Sequence, residues 1–280
     1  MIDDLSILYL FIGISFISVT SGVIGVFNFL QKKALVGDAV AHAVLPGIII
    51  AYLLSGARVS WILLLGALIA GFLTLSVITL LLKHTKLKQD SVIALVMISF
   101  FAFGLSLLSY VQLQPTLSQA GLSDFLFGKV TSLTENDLDL FIFICSLLLI
   151  VIRLFFKRII AIVFDSTFMR FKGYTMVKWT FFLNLITIII VAIGIQAVGV
   201  VLMSALLILP VTTAKQLTNK RFNLMVWTII FSISSAIIGT FISLNSSQLP
   251  TGPLISMVLC CGLFITVSLK WFISKTQAHG

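Results

Sequence analysis

The chain is built from long apolar runs of about 18 residues or more, separated by short polar segments. About 20 apolar residues in a helix cross the ~30 Å hydrocarbon layer of a bilayer. Backbone amides in lipid must be paired within the protein, and continuous rather than alternating hydrophobicity favours helices over barrel strands. The pattern therefore predicts an all-α, polytopic integral membrane protein with about nine transmembrane helices.

The predicted spans follow these apolar runs. They lie near residues 5–30, 38–55, 61–82, 91–113, 137–156, 175–194, 197–213, 222–244 and 253–273. As one helix, the stretch 175–213 would be about 58 Å long at 1.5 Å per residue, which is far longer than the bilayer is thick. We therefore predict a turn near Gly194–Gln196 that divides this stretch into two helices.

Composition argues against a soluble protein. Apolar residues make up 60% of the 280 residues and charged residues only 10%, with a mean hydropathy of +1.20, whereas soluble domains carry about 25% charged residues. The longest stretches outside the predicted spans, 114–136 and 157–174, are too short for a soluble enzyme domain. The sequence also has no phosphate-binding G-x-x-x-x-G-K-[ST] loop, so any ATP hydrolysis is expected on another chain.

The basic residues predict the orientation of the chain in the membrane. With nine spans and the N-terminus outside, sixteen of the eighteen Lys and Arg residues fall on the inside, and only Arg58 and Lys129 fall outside. Lys and Arg concentrate in short cytoplasmic loops. We therefore expect an extracytoplasmic N-terminus and a cytoplasmic C-terminus. The net charge of +9 is explained by this topology and requires no nucleic-acid partner.

The segment GDAVAHAVLPG (37–47) contains the strongest candidate for chemistry. Asp38 and His42 are four positions apart, which places both on one face of a helix. A carboxylate oxygen and an imidazole nitrogen suit zinc, manganese or ferrous iron. Two ligands do not complete a metal site, so water, other helices or a second copy of the protein must supply the rest. Pro46 leaves the carbonyl of His42 without its helical partner, which predicts a local break or kink.

A structural interpretation of the same two residues stays open at this point. Asp38 would cap the helix near the interface and pair with Lys32 or Lys33, while His42 would form an interhelical hydrogen bond. A carboxylate at the centre of a membrane helix costs roughly 2.5–3.5 kcal/mol on insertion scales, which favours a functional role. Helix geometry places both residues in the cytoplasmic half of their span.

The inside segment 157–178 predicts a short amphipathic helix. Asp165 is placed to cap it, and Phe164, Phe168 and Phe171 then share one face, opposite Arg170 and Lys172. Such a helix between two spans either docks into a groove on a cytosolic partner or lies flat on the lipid headgroups.

The motif at 37–47 resembles the G-D-a-x-x-H-x-x-x-P-G segment of permease subunits of ATP-binding-cassette importers for zinc, manganese and iron. The resemblance continues in family order through 123–138, 164–174, 192–218 and 249–255, and so covers nearly the whole chain. It implies a single transmembrane permease domain over residues 1–280 in the bacterial inner membrane. It also implies that Asp38 and His42 contact the metal, which is the cargo, with no covalently bound cofactor.

The resemblance further implies the partners of the chain. They are a second permease protomer, identical or different, two cytosolic ATP-binding-cassette ATPase subunits, and an extracytoplasmic metal-binding protein, with membrane lipid around them. The segment 164–174 corresponds to the cytoplasmic coupling helix, where Ser166 and Thr167 depart from the usual Pro-Glu. The residues expected to couple to the ATPase are Asp165, Phe168, Met169, Phe171 and Gly173.

Three other functions compete with a metal-ion permease. A permease for a metal chelate of the siderophore or cobalamin type has the same architecture, but the imidazole and carboxylate pair favours a bare ion. A membrane-embedded lipid-modifying enzyme generally has several acidic or His residues near one interface, whereas the predicted spans here offer only Asp38 and His42. A secondary transporter driven by an ion gradient would work without a partner ATPase.

Overall fold

A computed structural model describes residues 4–56, 59–113, 134–164, 166–245 and 249–278. All regular structure in these residues is helical, which confirms the predicted all-α class. The helices are α1 (Asp4–Leu30), α2 (Ala34–Ala43), α3 (Leu45–Ser55), α4 (Ser60–His84), α5 (Gln89–Gln112), α6 (Glu135–Phe164), α7 (Ser166–Phe171), α8 (Met176–Leu217), α9 (Arg221–Asn245) and α10 (Thr251–Ala278).

Eight helices in the described residues are long and apolar enough to cross a membrane, with α2 and α3 together forming one of them. The longest, α8, has 42 residues and contains one residue with non-helical backbone angles, Gly199 (φ 84°, ψ 166°). This helix is therefore two arms, 176–198 and 200–217. Counted in this way, the described residues contain nine membrane-length segments, in agreement with the predicted number.

Contacts with α1 show that the chain reverses direction at Gly199. Thr187 in the first arm lies beside Asn28, with Oγ1 and Nδ2 3.3 Å apart. Leu207 in the second arm packs against Gly25, where an added Cβ would lie 2.3 Å from the Leu207 carbonyl oxygen. In a straight helix, residues 187 and 207 would be about 30 Å apart. Here both contact the same turn of α1, so the two arms form an antiparallel hairpin.

The predicted turn near Gly194–Gln196 exists, but its predicted position is wrong. Gly194 remains helical and lies where the arms approach each other: a Cβ there would lie 2.2 Å from the sulfur of Met203. Gly199 adopts a backbone region that is essentially restricted to glycine. Gly194 therefore allows close packing of the two arms, whereas Gly199 allows the chain to reverse. The sequence pattern does not distinguish these two roles.

Replacing Gly199 by alanine is expected to destabilise the hairpin by about 1–3 kcal/mol, because a Cβ is strained at these backbone angles. Thermal unfolding of the purified protein in detergent measures the effect. Gly262→Ala is the matched control, since a Cβ at this helical position meets nothing within 4 Å. Equal melting temperatures for the two variants would contradict the assignment of the reversal to Gly199.

The second predicted span begins earlier than expected and is broken. It starts at Ala34 rather than 38, and Val44 separates α2 from α3. Pro46 stands in the first turn of α3, where a missing amide is tolerated, and the amide of Gly47 donates to the carbonyl of Val44 at 3.0 Å. The local break expected from Pro46 is confirmed, and it lies just after His42.

The helix ends meet at two opposite ends of the bundle. At one end, the Ser60 hydroxyl donates to Asp137 and the Tyr9 hydroxyl donates to Asp139, which joins the starts of α4, α1 and α6. At the other end, Lys33 between α1 and α2 shares a cavity with residues from the end of α6, from α7 and from the start of α8. We call these the Asp137 end and the Lys33 end.

Candidate metal site

Helix α2 brings Asp38 and His42 together as their spacing predicts. The Nε2 atom of His42 lies 3.6 Å from Oδ1 of Asp38, and the two side chains are 27% and 25% exposed, respectively. The residues between and around them, including Gly37, Ala39 and Ala41, are buried. Because these neighbouring side chains are small, α2 packs deep in the bundle. The face that carries Asp38 and His42 remains partly exposed at the surface of the chain.

Asp38 does not cap its helix. The N-cap position of α2 is Lys33, so Asp38 lies in the second helical turn, with no side-chain capping hydrogen bond at the start of the helix. Its carboxylate contacts His42, and it forms no salt bridge with Lys32 or Lys33 among the described residues. The capping interpretation is therefore wrong, because the helix begins at Ala34, four residues before the predicted start of the span at 38.

His42 is held by packing against α5. Its imidazole ring meets Phe101 edge-on, with ring centroids 4.9 Å apart and planes at 83°. The Nδ1 atom is buried and has no hydrogen-bond partner among the described protein atoms. The interhelical hydrogen bond considered from the sequence is absent from the described residues. Nε2, on the side of Asp38, is the nitrogen available to a metal.

The described part of one chain supplies two ligands and no more. Within these residues, no group of three or more His, Cys, Asp and Glu side chains comes close enough to hold a metal ion. Zinc sites in proteins have four ligands, and manganese prefers octahedral oxygen-rich sites. Asp38 and His42 alone can therefore supply two of the four ligands of a tetrahedral site, or two of the six of an octahedral one.

The predicted coupling segment contains a separate short helix, α7, at the Lys33 end, but Phe164 is the last residue of α6 and not part of this helix as predicted. Phe168 and Phe171 point outward, with exposed fractions of 52% and 88%, and the ammonium of Lys172 lies 4.8 Å from the centre of the Phe168 ring. Met169 is only 5% exposed and packs into the bundle. The aromatic pair therefore forms an exposed apolar surface, whereas the Met169 side chain anchors the helix to the bundle.

Gly173 ends this segment. It has a positive φ of 82°, and the following Tyr174 amide donates to the carbonyl of Met169 at 3.1 Å, as in a helix C-cap. Gly173 thus turns the chain toward α8, and its contact with the ATPase stays a prediction. Asp165, the predicted cap of the helix, lies outside the described residues.

Gln196 is a polar residue within the stretch that was predicted to turn. It is buried in the first arm of α8, and its side-chain amide reaches the first turn of α4. Oriented to satisfy both partners, the amide donates to the Ser60 carbonyl at 3.2 Å and accepts from the Leu64 amide at 2.9 Å. It fixes the hairpin to α4 at the Asp137 end. A lone Gln in an otherwise apolar run was the available signal.

Comparison with known proteins identifies the family. The model of the ABC 3 transport family matches residues 6–270. The chain belongs to the ABC 3 transport family. This match covers nearly all of the chain, as the motif resemblance predicted. The ABC 3 chain is a transport subunit and not an enzyme, so the lipid-modifying alternative is not supported.

Curated relatives of this ABC 3 chain are membrane proteins of transport systems. The zinc transport system membrane protein TroC of Treponema pallidum (strain Nichols) is 34% identical over 269 residues, which cover 96% of this chain and 90% of TroC. The manganese transport system membrane protein MntC of Bacillus subtilis (strain 168) is 37% identical over 257 residues, which cover 92% of this chain and 59% of MntC.

Two solved structures have the same fold as this ABC 3 chain. PsaBC from Streptococcus pneumoniae in complex with Fab matches with a TM-score of 0.81 and 25% identity, over 92% of this chain and 90% of that chain. A transporter described as of the metal-chelate type, in an inward-facing conformation, matches with a TM-score of 0.73 and 14% identity, over 93% and 85%. The second likeness shows the fold alone and gives no support for a chelate cargo.

Proposed function

We propose that this chain is the membrane-spanning permease subunit of an ATP-driven importer for zinc or manganese in the plasma membrane of a bacterium. The observation that carries the proposal is the Asp38 and His42 pair, aligned on one helix inside a bundle of the ABC 3 family. A zinc and a manganese transport protein are among its relatives. Iron, which the ligand types also allow, is not named by these relatives.

The incomplete ligand set supports a dimer. Asp38 and His42 from two identical protomers facing each other supply two carboxylates and two imidazoles, which is a four-ligand set suited to a transition metal. Both side chains are about one-quarter exposed in the single chain, so a second protomer can reach them. A different second permease would have to bring its own ligands to the same place.

The depth of the pair supports transient binding on a transport path. His42 is eight residues from the start of α2 and thirteen from the end of α3, or about 12 Å and 20 Å at 1.5 Å per residue. Water reaches a site at this depth only through an open cavity. ATP binding that favours one conformation would shift the dimer between states open to opposite sides.

The Lys33 end of the bundle is the cytoplasmic end in this proposal. It holds Lys32, Lys33 and Arg170, and basic residues favour the cytoplasmic side. The exposed aromatic surface of α7 is then directed toward the ATPase subunits. The N-terminus and the Asp137 end face the outside, where a metal-binding protein delivers the ion.

The identity of the metal is tested by elemental analysis of cells lacking the protein and grown under limitation of zinc, manganese or iron in turn. We expect zinc or manganese content to fall several-fold under limitation of that metal, with iron unchanged, and to recover with the wild-type gene. A fall in iron alone, or an unchanged content of all three metals, would contradict the proposed cargo.

A further inference from the structure

A cavity of about 400 Å³ at the Lys33 end has a donor-rich wall and an apolar wall. Its polar wall carries Gln31, Lys32 and Lys33 from the link between α1 and α2, and Arg170 from α7. Its apolar wall includes Ile162 near the end of α6 and Leu183 in the first arm of α8. The cavity thus joins three cationic groups to a hydrocarbon surface.

No salt bridge to Asp or Glu neutralises these cations in the part of the chain that the structure describes. Asp90 lines a neighbouring 490 Å³ cavity together with Lys32 and Lys33, but it forms no ion pair with either. The Nε2 atom of Gln31 is buried without a hydrogen-bond partner among the described protein atoms. The cavity wall therefore carries positive charges and a buried hydrogen-bond donor that have no partner among the described residues.

Two features of the link between α1 and α2 indicate that Lys32 and Lys33 have a specific role. Lys32 has a left-handed backbone with φ 59°, the conformation that glycine adopts without strain. Lys33 is half-buried, and burial lowers the pKa of its ammonium group. The amide of Lys33 donates to the Asn28 carbonyl at 2.9 Å, which fixes the link against the end of α1. An anion in the cavity would offset the desolvation of the Lys33 ammonium group.

The position of the cavity indicates the source of the anion. The membrane-length segments next to it end at Leu30 and Val163 and begin at Ala34 and Met176, so the cations lie at the level of the lipid headgroups. We propose that this cavity binds an anionic phospholipid, with its phosphate at Gln31, Lys32, Lys33 and Arg170 and an acyl chain along the apolar wall. Basic pockets between transmembrane helices are suited to such headgroups. The bound lipid would brace the start of α2 and the position of α7.

Native mass spectrometry of the full-length protein, released from nanodiscs with equal amounts of phosphatidylglycerol and phosphatidylcholine, tests the proposal. We expect wild-type protein to retain phosphatidylglycerol selectively. Lys33→Gln and Arg170→Gln should each lower its retention about fivefold, the factor expected for one basic contact near the membrane surface. Lys33→Arg keeps the charge and should retain the lipid. The matched control is Lys86→Gln, because Lys86 is exposed in the link between α4 and α5, outside the cavity.

Three results would overturn the assignment. The first is equal phosphatidylglycerol retention by wild type, Lys33→Gln and Arg170→Gln. The second is complete displacement of the lipid by inorganic phosphate, which would make free phosphate the ligand. The third is stoichiometric displacement by the ATPase subunits, which would make the cavity a protein docking surface. A melting temperature of Lys33→Gln equal to that of Lys33→Arg in phosphatidylcholine alone shows that the retention assay compares folded proteins.

Discussion

Replacing Asp38 or His42 by alanine is expected to abolish zinc or manganese uptake while the protein still assembles with its ATPase. In a homodimer each substitution removes two of four ligands at once. Loss of an outer-shell partner of a metal ligand already costs about 10–100-fold in affinity or activity, so loss of the ligands themselves is expected to exceed about 100-fold. Both side chains are about three-quarters buried on one face of α2, so assembly with the ATPase is the measurement that shows each variant still folds.

The measurement is uptake of labelled zinc and manganese by cells that carry each variant in place of the wild-type gene. Co-purification of the variant with the ATPase reports assembly. His84→Ala and Asp90→Asn are matched controls of the same residue types, since both positions are exposed at the ends of α4 and α5. Wild-type uptake by the Asp38 and His42 variants would remove the proposed metal site.

The sequence identified the Asp38 and His42 pair because helix geometry is local. Residues four positions apart share a face in any α-helix, and the structure brings their side chains to 3.6 Å. The start of α2 was misplaced because polar residues such as Lys33 also begin helices when tertiary packing stabilises the first turn. Because α2 begins four residues earlier than predicted, Asp38 lies inside the helix and not at its N-cap.

The hairpin in α8 shows what local patterns leave open. Bilayer thickness requires a turn, and the sequence predicts it near Gly194–Gln196, a few residues before the Gly199 at which the chain reverses. Contacts with α1 and α4 place the reversal, because Gln196 must reach the Ser60 carbonyl and Thr187 must lie beside Asn28. In the same way, the exposure of Phe168 and the burial of Met169 depend on how α7 sits against the bundle. Long-range packing of this kind cannot be predicted from a short window of sequence.

Replacing Phe171 by alanine is expected to uncouple the permease from its ATPase. Phe171 is 88% exposed on α7, whereas its neighbour Met169 is buried, so its large apolar ring is available to a partner and contributes little to the fold. An aromatic anchor at the centre of an interface is worth about 2 kcal/mol or more, which corresponds to about 30-fold weaker binding. Metal uptake should fall in proportion while the melting temperature stays unchanged.

Binding of the purified ATPase to the reconstituted permease measures the effect directly, together with metal-stimulated ATP hydrolysis. Phe222→Ala is the matched control, because Phe222 is also strongly exposed but belongs to α9, outside the predicted coupling segment. Met169→Ala should differ from both: it leaves a cavity under α7, lowers stability by about 2 kcal/mol or more, and weakens ATPase binding only by misplacing the helix. Equal ATPase binding by Phe171→Ala and Phe222→Ala would show that α7 does not carry the docking contact.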